Sequence, residues 1–421
     1  MPRIVREFLH TEASGGVVLL VAAGVALLWA NSPWRAGYEA LWGTELIVRL
    51  GRLALAEDLR HWVNDALMAV FFFVVGLEIK RELVVGELRE WRTAAVPVVA
   101  AVGGMAVPAV LYAAVNPSGE ASAGWGIPMA TDIAFALGVV SLLGSRVPGS
   151  LKVFLLTLAI VDDIGAIGVI AVFYSEGITW TALAVAAALL GVLAALRKAR
   201  VRSIVPFAIV GAGVWLAVFE SGVHATIAGV ALGLLAPARP MTAEGVAREW
   251  ALDLGHDPSP DDLRVMTEVA RTSLSVAERL EHHLHPWVSF LIVPLFALAN
   301  AGVRLDSGAL ADAATSRVGV GIVLGLVVGK LVGVSGFTWL AVRLGLGVLP
   351  TGVGWAHVVG IAAVAGIGFT VSLFVTGLAF ERAALQATAK IAILAASLVA
   401  SVLGVALLWR ASRRAAQRDA A

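Results

Sequence analysis

The sequence contains no cysteine and little charge. Without cysteine, its 421 residues cannot form disulfides, thiol nucleophiles or thiolate metal sites. Charged residues make up only 14% of the chain and hydrophobic residues 59%, a composition that excludes an ordinary soluble domain. The 31 basic and 30 acidic residues nearly cancel, which gives no reason to expect a nucleic-acid partner. An integral membrane protein is the class that remains.

Long apolar runs occupy nearly the whole sequence. A membrane-spanning helix needs about 20 residues, so we expect an all-α integral membrane protein of about 12 transmembrane helices, forming one domain over residues 1–421. The runs lie near residues 15–31, 61–79, 93–115, 124–144, 151–174, 179–196, 203–219, 222–236, 287–301, 317–342, 353–379 and 387–409. Arg3 and Arg6 precede the first run as in a signal peptide, but a chain with many further spans needs no removable signal.

The basic residues between the runs predict the orientation. With a cytoplasmic N-terminus, 22 of them fall on the inner side and eight on the outer side, so the positive-inside rule places both termini in the cytoplasm. The loop 237–286 is then cytoplasmic, and its helical pattern over 263–284 predicts one amphipathic helix. The outer loop 32–60 fits either a short hairpin or an interfacial segment.

The remaining basic residue, Lys330, lies in the middle of the tenth run. A charge at that depth costs roughly 2.5–3.5 kcal/mol on insertion scales, so it needs a partner or a water-filled cavity. Asp162 and Asp163 lie at the middle of the fifth run and are the candidate partners. A purely structural ion pair would leave the second aspartate without a partner. Two adjacent carboxylates at this depth therefore favour a cation or proton site.

Two of the runs contain helix-interrupting residues. Asp132 lies halfway along the fourth run, near Pro128 and several glycines, and the eleventh run contains Gly366 and Gly368. Interrupted segments in corresponding places of two halves are typical of inverted-repeat transporters. Spans 3–5 and 10–12 would be the repeats, and Asp132 would balance the positive ends of the half-helices. Close packing at small residues is the alternative explanation for the glycines.

At these positions the sequence resembles the NhaA family of bacterial sodium/proton antiporters. The resemblance rests on residues 62–72, 75–83, 130–138, 144–148, 160–166, 221–226, 284–288 and 366–372, which are spread over most of the chain. It implies an inverted repeat in which the interrupted spans 4 and 11 cross, a bacterial inner-membrane location, and a homodimer.

The resemblance also implies a role for each matching residue. Asp163 is the principal cation and proton carrier, and Asp162 is the partner of Lys330. Thr131 and Asp132 belong to the unwound part of the fourth span. The resemblance further assigns an outer acid, a cytoplasmic cluster that attracts cations and responds to pH, and a histidine that modulates the pH response. The outer acid is Asp65. The cytoplasmic cluster consists of Glu78, Arg81, Glu82 and Glu281, and the histidine is His224.

The chain departs from the family pattern at three places. Lys330 is not followed by the expected proline, which puts only the local helix geometry in doubt. Glu278 stands where a basic residue is expected, which weakens a copied account of the pH response. The loop 237–286 is also longer than expected.

The resulting expectation is a sodium/proton antiporter that extrudes sodium, and lithium, at the expense of the proton gradient with pH-dependent activity. Carboxylates and a hydroxyl are the hard oxygen ligands that an alkali cation requires, so we expect Asp162, Asp163 and Thr131 to bind sodium or protons in competition. We expect no cofactor, no catalytic residue and no metal beyond the transported ions, with the lipid bilayer as the surroundings.

Other functions fit the same residues less well. A proton-coupled carrier of another solute is the main alternative, although the sequence has no aromatic-lined or arginine-rich motif for an organic anion. A channel would need rings of repeated ligands, and an intramembrane aspartyl protease would give Lys330 no task. Glu281, His282, His283 and His285 include zinc-binding residue types, but their spacing scatters them around a helix end.

Overall fold

The computed structural model describes residues 3–50, 53–175, 177–199, 201, 204–239 and 274–419. Helix α1 spans Arg3–Ala30, and α2, Arg35–Trp42, follows at an angle of 116°. Two antiparallel strands, β1 (Glu45–Leu50) and β2 (Leu53–Asp58), then pair in register. The outer loop that the sequence left open is therefore a β-hairpin.

The hairpin is joined directly to a long apolar helix. Helix α3 (Leu59–Trp62), a π-helical segment (Val63–Leu67) and α4 (Met68–Val84) run on without a break. Asp58 caps α3 by accepting the backbone N–H of His61 at 2.8 Å. Trp62 donates its indole N–H to the Leu46 carbonyl at 2.9 Å, which holds the hairpin against the helix end.

The fourth apolar run is interrupted as the sequence predicts. After the 3₁₀ turn Glu87–Arg89 and helix α5, Trp91–Val115, the chain forms a 3₁₀ helix at Glu120–Gly126. Residues 127–132 are not helical, and α6 spans Ile133–Ser141. The fifth run is the continuous helix α7, Gly149–Phe173, preceded by the 3₁₀ turn Gly144–Arg146.

Small residues bring α4 close to a later helix. Helices α8 and α9 span Trp180–Lys198 and Ile204–Phe219, and α10 spans Thr226–Leu235. A Cβ added at Gly229 would lie 2.1 Å from the Ala69 carbonyl oxygen. Only glycine at this position therefore lets α10 pack against the backbone of α4.

The second half contains the other interruption. The remaining elements are α11 (Val276–Trp287), a π-helical segment (Val288–Ile292), α12 (Val293–Asn300), α13 (Ser307–Thr315), α14 (Arg317–Val323), a π-helical segment (Leu324–Gly329), α15 (Lys330–Arg343), α16 (Trp355–Val364), α17 (Phe369–Ala379) and α18 (Ala383–Asp419). Helices α16 and α17 are bent by 46° at residues 365–368.

The protein is mostly helical and has the long apolar helices of a multi-pass membrane protein. Within the described residues, seven helices are long and apolar enough to cross a membrane, or nine if each bent pair is one span. Two shorter apolar helices, Val205–Phe219 and Thr226–Leu235, add to these.

The predicted ninth span begins earlier in the structure. The sequence placed its start near residue 287, but α11 already begins at Val276 and the helix continues through Pro286 to Asn300. Ser275 and Glu278 form a capping box that fixes this start, with hydrogen bonds of 2.8 and 3.1 Å. The first half of the predicted amphipathic helix, residues 263–273, and the loop before it from 240 onward lie outside the described residues.

Candidate functional site

Lys330 and Asp162 form a fully buried ion pair at the centre of the protein. The Nζ of Lys330 lies 2.5 Å from Oδ2 of Asp162, and neither side chain is exposed. Glycines bring α5 and α15 together beside this pair; a Cβ added at Gly333 would lie 2.2 Å from the Gly103 carbonyl oxygen. This close packing supplies the low-dielectric surroundings in which one buried charge needs the other.

Thr131, in the non-helical part of the fourth run, forms hydrogen bonds with both members of this ion pair. Lys330 also donates to the Thr131 hydroxyl, at 3.1 Å. That hydroxyl has two acceptors for its single proton, Oδ2 of Asp162 at 2.7 Å and the Ala365 carbonyl at 2.9 Å. The two interrupted runs therefore place a hydroxyl and a peptide carbonyl beside a carboxylate, which are the ligand types that suit an alkali cation.

Asp163 differs from its neighbour in having no such partner. Within the described part of the chain, its carboxylate makes no hydrogen bond or ion pair, although it is repelled by Asp162 and Asp132 and attracted by Lys330. Its side chain is 6% exposed and lines a cleft, whereas Asp162 is sealed. The two adjacent acids thus have different environments, because consecutive helical residues point about 100° apart.

Asp132 connects the two interruptions. One carboxylate oxygen accepts the backbone N–H of Phe135 at 3.0 Å, which caps α6. The other accepts the backbone N–H and the hydroxyl of Thr370 at 2.9 and 2.7 Å, in the first turn of α17. The backbone N–H of Asp132 also donates to the Ile367 carbonyl at 2.7 Å. A single carboxylate therefore faces the positive ends of both half-helices.

A cleft of about 620 Å³ borders this centre. Its lining includes Thr131, Asp132 and Asp163 and also Glu78 and His285. Asp163 is thus the member of the aspartate pair that an ion in the cleft can reach.

The predicted charged cluster adjoins the cleft through Glu78, which lines it. Arg81 pairs with Glu281 through Nε at 3.2 Å and with Glu82 through Nη2 at 3.4 Å. Glu78 also interacts electrostatically with Arg81. All three glutamates are less than 10% exposed. The structure therefore brings together the four residues that the sequence comparison had grouped.

The other two predicted residues lie away from the centre. Asp65 is in the π-helical segment Val63–Leu67 and lines a separate small pocket with Glu57 and His61. The Nε2 of His224 lies 2.6 Å from the Tyr174 carbonyl oxygen. Neither residue lines the cleft that reaches Asp163.

Several contact residues were not identified from the sequence. Thr370 binds Asp132, and Ser372 donates its hydroxyl to the Ile127 carbonyl at 2.7 Å. Both lie in the interrupted eleventh run, so a search for hydroxyls beside the glycines would have found them. Glu278, which the sequence marked as a departure, completes the capping box of α11. The spacing of Ser275 and Glu278 is typical of a capping box and could have identified this contact from the sequence.

The zinc alternative receives no support from the geometry. Glu281 is used in the ion pair with Arg81, and the described residues contain no group of three or more acidic or histidine side chains able to hold a metal ion.

Apolar helices around a buried acid pair, two interrupted helices in contact and a cleft that reaches one of the acids are features of a multi-pass membrane transporter. Residues 6–408 match the family described as Na+/H+ antiporter 1. A Frankia alni protein named Na(+)/H(+) antiporter NhaA 3 is 49% identical over 406 residues, covering 96% of this chain and 88% of that protein. A Sorangium cellulosum protein named Na(+)/H(+) antiporter NhaA 2 is 48% identical over 414 residues, covering 95% and 88%.

A Rhodopirellula baltica protein named Na(+)/H(+) antiporter NhaA is 45% identical over 412 residues, covering 96% of this chain and 92% of that protein. The chain belongs to the Na+/H+ antiporter 1 family. It is accordingly a membrane transporter and not an enzyme.

Proposed function

We propose that this protein exchanges sodium for protons across the bacterial inner membrane, extruding sodium, and lithium, at the expense of the proton gradient. The observation that carries the proposal is Asp163, whose carboxylate lines the cleft and accepts no hydrogen bond from the described residues, beside the sealed Asp162–Lys330 pair. The names of the related proteins support the identity of the two ions.

Asp163, Asp162 and Thr131 are the proposed ligands of the cation. An alkali ion must exchange its water for hard oxygen atoms, and these three side chains carry them within one cluster. Sodium and a proton then compete for Asp163. Lys330 neutralises Asp162 while the cation is absent, and it gives up its proton or its partner when sodium approaches.

The proposed topology has twelve spans, both termini in the cytoplasm, and crossing half-helices in spans 4 and 11. The hydrogen bonds of Asp132, which donates its backbone N–H to Ile367 and accepts the backbone N–H of Thr370, support a direct contact between the two interrupted spans. In this orientation the end of α4 that carries Glu78 and Arg81 faces the cytoplasm, where sodium must be collected for extrusion.

Residues around the cleft have proposed secondary roles. Glu78, Arg81, Glu82 and Glu281 attract cations and make activity depend on pH, with the ion pairs of Arg81 as the support. Asp65 is the acid on the outer side, His224 modulates the pH response, and Asp132 compensates the half-helix dipoles. A homodimer is proposed from the resemblance alone.

Proton movement in vesicles of purified protein and lipid tests the function. Sodium added on one side should move to the other side and draw protons in the opposite direction, toward the side of addition, and a membrane potential should change the rate if unequal charges are exchanged. Proton movement that ignores sodium and lithium but follows another solute would replace this function with the alternative, a proton-coupled carrier.

A further inference from the structure

Helix α7 contacts the interrupted fourth span at two separate levels. At its middle, Asp162 accepts the Thr131 hydroxyl. At its end, the C-cap residue Tyr174 donates its hydroxyl to the Ala123 carbonyl at 2.6 Å and accepts the Gly126 backbone N–H at 3.1 Å. The twelve residues from Asp162 to Tyr174 correspond to about 18 Å along a helix. Two contacts so far apart fix both the position of the interrupted fourth span along α7 and its tilt relative to α7.

Tyr174 is itself held on several sides. Its side chain is buried, and the ring of Trp125 stacks beside it with centroids 6.4 Å apart. His224 contacts its backbone carbonyl. A Cβ added at Gly126 would lie 2.7 Å from the Tyr174 hydroxyl, so only glycine lets the hydroxyl approach this backbone. The hydroxyl thus occupies one defined position between two peptide groups.

The tyrosine contact is connected to the cation ligands through a short stretch of chain. Only four residues separate Gly126 from Thr131, and within this stretch Ile127 is fully buried and held by Ser372. A shift of Gly126 along α7 must therefore move Thr131 relative to Asp162 and Asp163, or strain the residues between them.

We propose that the Tyr174 hydroxyl is a positioning group, which sets Thr131 against the two aspartates and keeps the outer half of the fourth span closed over the site. The inference rests on the proposed function, since Thr131, Asp162 and Asp163 are its ligands. Tyr174 itself lies about 16 Å along the helix from Asp163 and touches no ion.

Tyr174→Phe removes the hydroxyl and keeps the ring. Tyr112→Phe is a matched control, because Tyr112 is also buried and its hydroxyl also holds this 3₁₀ helix, through the Ala121 carbonyl at 2.8 Å. Tyr112 lies on α5, which does not carry the aspartates. Both variants lose a buried hydroxyl, but only one loses the connection to α7.

The first measurement separates the sodium KM from the maximal rate of sodium-driven proton movement in vesicles. We expect Tyr174→Phe to raise the KM about threefold to tenfold, with a maximal rate within about twofold of the parent. Tyr112→Phe should leave the KM within about twofold. An unchanged KM in Tyr174→Phe, or an equal rise in both variants, would overturn the positioning role.

The second measurement does not depend on transport. The chain has no cysteine, so Ile127→Cys provides a single thiol that the parent structure buries. A membrane-impermeant maleimide added from outside should label this thiol at least about tenfold faster when Tyr174→Phe is also present. Equal labelling with and without Tyr174→Phe would overturn the proposal. If the parent moves no protons with sodium while the labelling still differs, the proposed function fails and the closure by Tyr174 stands.

Discussion

Two adjacent aspartates occupy different environments although they belong to the same helix turn. Asp162 is sealed with Lys330 and Thr131, whereas Asp163 lines the cleft. A buried ion pair gains little net stability, because removing two charges from water offsets their attraction. The pair is therefore better understood as a fixed charge environment for Asp163 than as a source of stability.

Replacement of Asp163 by asparagine tests its role as the carrier. Asp163→Asn has nearly the same shape but cannot ionise, so exchange should be abolished while the protein still folds. Its unfolding temperature in detergent should not fall, since a charge without a hydrogen bond has been removed from a buried position. Normal sodium-driven proton movement in this variant would remove Asp163 from the mechanism.

The Lys330–Asp162 contact makes a different prediction. Lys330→Ala strands a buried carboxylate and should lower the free energy of unfolding by about 3–5 kcal/mol. Adding Asp162→Ala removes the stranded charge and should restore part of that loss, as measured by thermal unfolding in detergent. If the two losses simply add, the side chains do not interact in the folded protein.

The sequence singled out these charges, and the resemblance paired Asp162 with Lys330 as the structure does, but neither identified the other groups in contact with them. Lys330, Asp162 and Asp163 stood out because charges are rare in apolar runs, and that argument needs no structure. The division of labour between the aspartates came from resemblance to a family. The Ala365 carbonyl beside Thr131 could not have been identified, because every residue has a carbonyl and only the fold selects one.

At the scale of elements, the interrupted helices are tied together by side-chain hydrogen bonds. Asp132 caps α6 and also accepts two hydrogen bonds from Thr370 at the start of α17. Ser372 adds a bond to the Ile127 carbonyl. The glycines and the proline predicted the interruptions, whereas the bonds between them depend on which elements the fold brings together.

Substitution of Thr370 by valine tests this connection. Thr370→Val keeps the shape and the backbone N–H but removes the hydroxyl donor to a buried carboxylate, so the free energy of unfolding should fall by about 1.5–3 kcal/mol. Thr376→Val is the control, because Thr376 is buried on the same helix and bonds only a carbonyl of its own helix.

The control should lose less, about 0.5–1.5 kcal/mol, since its hydrogen bond involves no charge. Thermal unfolding of both variants in detergent measures the difference. Equal losses would mean that the bond between Thr370 and Asp132 adds nothing beyond local helix structure.

The long apolar elements were largely predictable, whereas their ends were not. Helix α7 matches the predicted fifth run almost residue for residue. The predicted ninth run begins about three turns of amphipathic helix too late, because Val276–Trp287 carries charged residues that a hydropathy argument assigns to a loop. The hairpin remained undecided because six-residue strands with mixed polarity resemble an interfacial helix in composition.

At the scale of the whole molecule, the cleft that reaches Asp163 is also lined by Glu78, a member of the charged cluster around Arg81. Two explanations of pH-dependent transport then differ. Competition at Asp163 changes how tightly sodium binds. A gate operated by Glu78, Glu82 and Glu281 changes how often the site is reached.

Calorimetric titration of sodium into purified protein at several pH values separates these explanations. With competition, the apparent affinity should weaken about tenfold for each unit fall in pH below the pKa of the site, per proton displaced, and level off above it. Glu78→Gln is the comparison and should shift the pH of activation without abolishing binding. An affinity that stays constant between about pH 6 and 9 would rule out competition.

The three π-helical segments in the described chain can be viewed as one-residue insertions. A π turn contains an extra residue that an α-helix would not accommodate without changing register. The segment Leu324–Gly329 ends immediately before Lys330. Rewinding this segment as an α-helix with the same number of residues would turn everything beyond it by about 100° relative to Arg317–Val323. The direction of the lysine toward Asp162 therefore depends on the π-helical winding that precedes it as much as on the lysine itself.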